Sequence, residues 1–338
     1  MKQTNRLFFQ AILGCVSLLL VILPFLLPLY WVHIFILIFI WSAIATAWSY
    51  MARFGVISLG HGAVLGIGTY TTALLFNNYG VSPLIGMVIG GIFAIIFFAG
   101  IGYFCFRFGV IGHYFAVTTL VQVMVVYLLI MYFRDFSGGS LGLTLNSVGT
   151  KPLLFQFESK AYFYFIALAF LFLTLYVWKR IQRSKIQRAM AAIENDEAAA
   201  ASIGIPIVRY KTTVTAISSF FTAIGGVIYT QYMMTLHPDV LSSVDASLGI
   251  AFKAILGGMY TLWGPLVGTT LIIGLEEYFR VVHGATLIGW SVAAYGIVII
   301  ILVIFFPKGL HGTIGEALSR RRGWRTDKQP YLSGRKGG

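Results

Sequence analysis

Residues 83–106 read PLIGMVIGGIFAIIFFAGIGYFCF, 24 positions without an acidic or basic side chain, and Arg107 closes the run. An α-helix needs about 20 apolar residues to cross the hydrocarbon layer of a bilayer, so this stretch predicts a membrane-spanning helix. Nine further runs flank it: Phe8–Leu29, Trp31–Met51, Leu59–Phe76, Tyr114–Phe133, Ala161–Trp178, Thr212–Met234, Leu248–Leu262, Pro265–Phe279 and Leu287–Phe306. The first has no small-residue cleavage site behind it and is expected to stay as a helix. The expected fold is therefore all-α, a polytopic transmembrane helical bundle of about ten membrane segments. It occupies residues 1–310 as one domain, with a basic tail over 311–338. Leu59–Phe76 and the two runs around the Trp263-Gly264-Pro265 hinge are short or glycine-rich. One or more of them is expected to be re-entrant or broken, which is tolerated where protein or a cavity covers the backbone. The spacings Gly62/Gly66, Gly86/Gly90 and Gly264/Gly268 predict close helix approaches.

Only 10% of residues are charged, against roughly 25% in a soluble domain, which excludes an ordinary soluble enzyme. Lys and Arg outnumber Asp and Glu by 24 to 11. These cations gather in short stretches between apolar runs: the N-terminus, Arg53, Arg107, residues 179–211 and the tail. Positive residues mark cytoplasmic loops, so both termini are expected in the cytoplasm of a bacterium, with the chain in the inner membrane and residues 134–160 facing outward. Membrane lipid is the expected partner of the basic tail, and no nucleic acid is expected. Cys15 and Cys105 lie in apolar runs without metal-ligand or disulfide spacing.

The sequence contains no phosphate-binding loop ending in Gly-Lys-Ser/Thr, no HExxH and no Cys/His cluster. It is therefore read as a transport subunit rather than an enzyme, with no metal site. Glu276 and Glu277, beside Arg280, read as a helix boundary more readily than as an ion site. Residues 179–211 are the one long internal polar stretch, and Ala189–Ala201 is a run of strong helix formers stopped by Gly204 and Pro206. Such a helix suits the groove of another protein, or packs on its own bundle; its spacing alone favours neither.

Glu197-Ala198-Ala199 followed by Gly204 resembles the EAA signature of ABC importer permeases. The wider stretch from Arg188-Ala189-Met190-Ala191-Ala192-Ile193 to Ile205 resembles branched-chain amino acid permeases of the LivM type. So do residues 54–70, with Ser58-Leu59-Gly60-His61-Gly62, residues 114–120, residues 137–143 and Leu256-Gly257-Gly258 through Gly264-Pro265. These elements occur in order across residues 50–310.

The resemblance implies a fold like that of type II ABC importer permeases. It also implies a coupling helix over 188–205 that docks into ATPase subunits, with Arg188, Ala192, Glu194, Glu197, Ala198, Ala199 and Gly204 as coupling residues. It implies ABC ATPase subunits, a sister LivH-type permease and a periplasmic substrate-binding protein as partners. This chain holds no cofactor; ATP and Mg belong to the partner subunits. Urea or short-amide permeases share the scaffold and are the alternative within the family. A self-sufficient carrier or channel is less favoured, because it has no need of the alanine-rich helix. Ser58, Gly60, His61 and Gly62, at the start of a glycine-rich segment, are candidates to line the translocation pathway, as broken helices do in transporters. His61 reads more readily as a packed histidine. Thr118 and Thr119 are candidates for the same route, or bond back to their own helix.

Overall fold

The computed structural model describes residues 20, 22–149, 151–283 and 296. We label its principal helices α1 (Leu29–Ala52), α2 (His61–Tyr79), α3 (Pro83–Arg107), α4 (His113–Tyr132), α5 (Lys160–Gln182), α6 (Lys185–Asn195), α7 (Glu197–Ser202), α8 (Ile207–Met233), α9 (Val244–Gly257) and α10 (Gly264–His283). Among the described residues, six helical stretches are long and apolar enough to cross a membrane: α1, α3, α4, α5, α8 and Pro238–Gly257, which includes α9. Helices α2 and α10 have similar lengths but carry more glycine and threonine, or charge. Most of the expected first segment and nearly all of the last lie outside the described residues.

Local chemistry sets the helix boundaries. Pro83 opens α3, where its missing N–H costs nothing. The hydroxyls of Ser159, Ser184 and Ser243 accept from Ala161, Ile186 and Ala246 and so cap α5, α6 and α9. Within α3, Ile95–Ala99 forms a π-helical turn.

Helices α1 and α8 form the centre. Helix α1 is apolar around most of its circumference, buries Ile36, Ile40, Ile44 and Trp48 completely, and is enclosed by α5, α8, α9 and α10. A helix without a polar face is stable only where neighbours or lipid cover it, and here the neighbours do. Helix α4 is the most peripheral span, with only a third of its apolar window buried. The expected glycine approaches are present. A methyl on Gly268 would meet the Gly257 nitrogen at 2.6 Å, so α9 and α10 pack backbone to backbone. One on Gly90 would meet the Gly68 carbonyl at 2.6 Å, joining α3 to α2.

The bundle has two distinct ends. At one, Leu143–Thr144 pairs antiparallel with Thr235–Leu236. There too Asn77 donates to the Thr144 carbonyl at 2.9 Å and the Ser82 hydroxyl donates to the Leu153 carbonyl at 2.5 Å. At the other end, the close of α1, the close of α3 and the start of α4 meet α6, α7 and the start of α8.

Two expectations change in detail. The break in the glycine-rich early segment lies before His61, not within it. Residues 56–60 are irregular, Gly55 takes a left-handed φ of 75°, and α2 then runs unbroken. The single helix expected over 188–205 is two. Asp196 is extended (φ −155°, ψ 111°) and its carboxylate accepts from the Ala199 N–H at 2.9 Å. A short acidic side chain that bonds its own backbone competes with helix continuation, and here it starts a new helix instead.

Candidate functional site

The loop made of α6 and α7 has an inner and an outer face. Ala189, Met190, Ile193 and Ala200 are buried against the bundle, beside Trp178 and Ile181 of α5. Of the expected coupling residues, Arg188, Ala198, Ala199 and Gly204 face outward, together with Ile203, which is 74% exposed. Gly204 adopts φ 82°, a conformation that ends α7 and that side-chain-bearing residues rarely take. Ala192 is half-buried.

Glu197 is tied inward. Its Oε2 accepts from the Lys211 Nζ at 2.7 Å, and Lys211, at the start of α8, is only 7% exposed. The ammonium also lies 5.7 Å from the centre of the Phe106 ring at the end of α3. A buried cation held by one carboxylate and one aromatic face binds α7, α8 and α3 into one unit. Beside it opens a cleft of about 160 Å³, bordered by Phe54, Ile111, Phe115, Glu194 and Glu197. Packing against this wall raises the pKa of the Glu194 carboxyl. At the same end, the guanidinium of Arg53 lies between the rings of Phe54 and Trp178, 4.7 and 4.3 Å from their centres.

The second group of expected residues forms a buried polar cluster. The Ser58 hydroxyl accepts from Gly60 N–H at 3.0 Å, and its carbonyl accepts from the Trp48 indole at 2.8 Å. The Leu59 N–H donates to the Thr119 hydroxyl at 3.0 Å. His61 Nε2 pairs with the Ser218 hydroxyl of α8 at 2.8 Å, and Gly62 N–H donates to the Ser247 hydroxyl of α9 at 2.7 Å. Thr119 of α4 and the segment's own Ser58 satisfy the irregular backbone at Leu59 and Gly60. Ser218 of α8 and Ser247 of α9 bond the His61 ring and the Gly62 N–H in the first turn of α2, so that polar groups inside a bilayer find partners within the protein. Gly60 and Gly62 have no room for a side chain: a methyl on Gly60 would stand 2.8 Å from Thr119 Cβ, and one on Gly62 2.6 Å from the Ser243 carbonyl. Ser58, His61 and Thr119 are at most 1% exposed.

Ser58, Gly60, His61, Gly62 and Thr119 therefore come together, whereas Thr118 points elsewhere. Its hydroxyl donates to the Tyr114 carbonyl, one turn back, and it borders a groove between α3 and α4. Glu277 accepts from Tyr30 at 3.0 Å and from Arg280 at 2.5 Å, and α10 continues past it to His283, so Glu276 and Glu277 lie within the helix rather than at the boundary expected for them.

The expected site residues do not include Lys211, Ser218 or Lys253. Lys253 lies buried in α9, its ammonium 4.9 Å from the centre of the Trp41 ring. An intramembrane cation is a marked feature, but it could have been found only by noticing a lone lysine inside an apolar run.

Residues 30–306 match the family model described as branched-chain amino acid transport system / permease component. The chain is 26% identical over 286 residues to the high-affinity branched-chain amino acid transport system permease protein LivM of Salmonella typhimurium. That match covers 76% of this chain and 64% of the relative. The protein of the same name in Escherichia coli is 26% identical over 284 residues, with the same two coverages. A probable branched-chain amino acid transport permease protein LivM of Methanocaldococcus jannaschii is 23% identical over 261 residues, 72% of this chain and 74% of that one. The match thus spans about 64% of the length of the two bacterial relatives. No solved structure matches the chain at a significant level.

Proposed function

The chain belongs to the permease-component family of branched-chain amino acid transport systems, and from this we propose that it is the membrane-spanning subunit of an ATP-driven importer for branched-chain or related amino acids. The observation that carries the proposal is the family match over residues 30–306. In this reading the partners are ABC ATPase subunits, which bind ATP and Mg, a sister LivH-type permease and a periplasmic substrate-binding protein. The chain sits in the inner membrane of a bacterium with both termini in the cytoplasm, so that the α6–α7 end faces the ATPases and the strand-paired end faces the binding protein.

Geometry supports a route for coupling. The outward face of α7, with Ala198, Ala199, Ile203 and Gly204, offers small side chains and one exposed aliphatic knob to a partner groove. Movement of α7 acts on α8 through the Glu197–Lys211 pair. Two turns further along α8, Ser218 holds His61, and His61 belongs to the segment that Ser58, Gly60 and Thr119 anchor. A push on α7 therefore reaches the middle of the bundle through one rigid helix.

The test is ATP-driven uptake of leucine by the complex in proteoliposomes, with and without the binding protein, comparing wild type with Glu197→Arg. The expected result is binding-protein-dependent uptake that the substitution abolishes. Uptake of urea or acetamide in place of leucine would move the chain to the amide branch of the family. Downhill movement of leucine by this chain without any ATPase would overturn the importer reading.

A further inference from the structure

We propose that the groove between α3 and α4 is a contact site for the aliphatic amino acid in transit, with the Gln122 amide as its polar anchor; this rests on the importer reading above. The groove measures about 420 Å³, and Phe97 and Ile101 of α3 face Val117, Val121 and Val125 of α4 across it. Gln122 lines the same space and is only 5% exposed. Neither its Nε2 nor its Oε1 has a hydrogen-bond partner among the described residues. An unpaired buried amide is costly, and within a bilayer an acyl chain cannot relieve that cost.

The chemistry of the missing partner follows from what lines the groove. A glutamine amide offers two donors and an acceptor, so one side chain can meet both the carboxylate and the ammonium of a zwitterion. The valine, isoleucine and phenylalanine walls complement a branched aliphatic side chain. One amide in a wall that is otherwise apolar except for Thr118, whose hydroxyl donates to the Tyr114 carbonyl, also suits a passage, which must let its solute leave.

The groove is mechanically joined to the buried cluster. The π-helical turn Ile95–Ala99 forms part of its α3 wall, and such turns recur at functional sites. The turn sends Phe97 into the groove and Phe98 onto His61, ring centres 5.5 Å apart. Displacing the 58–62 segment therefore displaces the groove wall. Helix α4, the most peripheral span, closes the other side.

The experiment uses the complete complex with its ATPases and binding protein in proteoliposomes. Gln122→Leu keeps the volume but removes the amide. It should co-purify with the same partner subunits and move about tenfold less leucine per ATP hydrolysed, as expected for loss of one hydrogen bond to a charged group. Gln122→Asn, with the amide retained, should lose less. In a background with Cys15→Ser and Cys105→Ala, Val125→Cys should react with a water-soluble thiol reagent, and leucine-loaded binding protein with ATP should slow that reaction. A wild-type leucine-to-ATP ratio in Gln122→Leu overturns the proposal. Loss of the sister permease from the Gln122→Leu complex also overturns it, and assigns the groove to a permease–permease interface. A Val125→Cys site that reacts only with membrane-soluble reagents assigns the groove to lipid. Failure of the wild-type complex to import any amino acid sinks the importer reading first, and the subsite with it.

Discussion

Lys211 enters the bundle as a nearly buried ammonium with Glu197 as its carboxylate partner. Removing one member of such a pair leaves the other's charge unmet, at a cost of about 2 kcal/mol for a hydrogen bond to a charged group. Glu197→Lys and Lys211→Glu should each impair ATP-driven uptake, and the double reversal should restore a measurable part of it. Equal failure of single and double variants would show that the pair is not the link. Gly62 makes a separate prediction. Its N–H donates to Ser247, and an added methyl would lie 2.7 Å from that same hydroxyl. Gly62→Ala should destabilise the protein by about 1–3 kcal/mol through overpacking, seen as a lower melting temperature in detergent. Lys211 acquires its meaning only from what faces it, whereas Gly62 stands in the Ser58–Gly62 stretch that the sequence already marks.

At the scale of elements, the division between α6 and α7 matters most. Asp196 caps α7 by accepting from Ala199. An Asp-to-Ala cap substitution costs about 1 kcal/mol and removes the local bond that favours the extended conformation. Asp196→Ala is therefore expected to favour one continuous helix, to leave the melting temperature of the bundle nearly unchanged, and to lower uptake at saturating ATP. Spin labels at Arg188 and Ser202 would report the straightening as a longer inter-label distance. An unchanged distance would contradict this account of the break. Helix propensity made the whole stretch legible as helix, because Ala, Glu and Met dominate it. The interruption was not legible, because a single Asp is compatible with either a helix surface or a cap.

For the whole molecule, the arrangement of basic loops predicts an orientation. The residue 179–211 end and the strand-paired end should lie on opposite sides of the membrane, linked by α5. In a cysteine-free background, Ser147→Cys should be labelled in intact cells by an impermeant maleimide, and Ser202→Cys only after permeabilisation. The opposite pattern would invert the topology and remove the coupling argument.

Sequence alone determined the class of this protein. Continuous uncharged runs of about 20 residues fit helices in lipid, since a helix satisfies its backbone within the run itself, and the ordered motifs from residue 54 to Pro265 named the family. It also placed Ser58, Gly60, His61, Gly62, Thr118 and Thr119 in one group as candidate lining, of which all but Thr118 form one closely packed cluster. Only the tertiary structure decided which helices are central, that Thr118 diverges from Thr119, that Lys211 meets Glu197 and Ser218 meets His61, and that Gln122 lines the groove between α3 and α4. The reason is physical. In an apolar chain, hydropathy reports that a segment leaves water but not what it meets, because lipid and protein neighbours are equally apolar. The polar side chains that distinguish one face from another find their partners across the bundle, 157 positions away for His61 and Ser218.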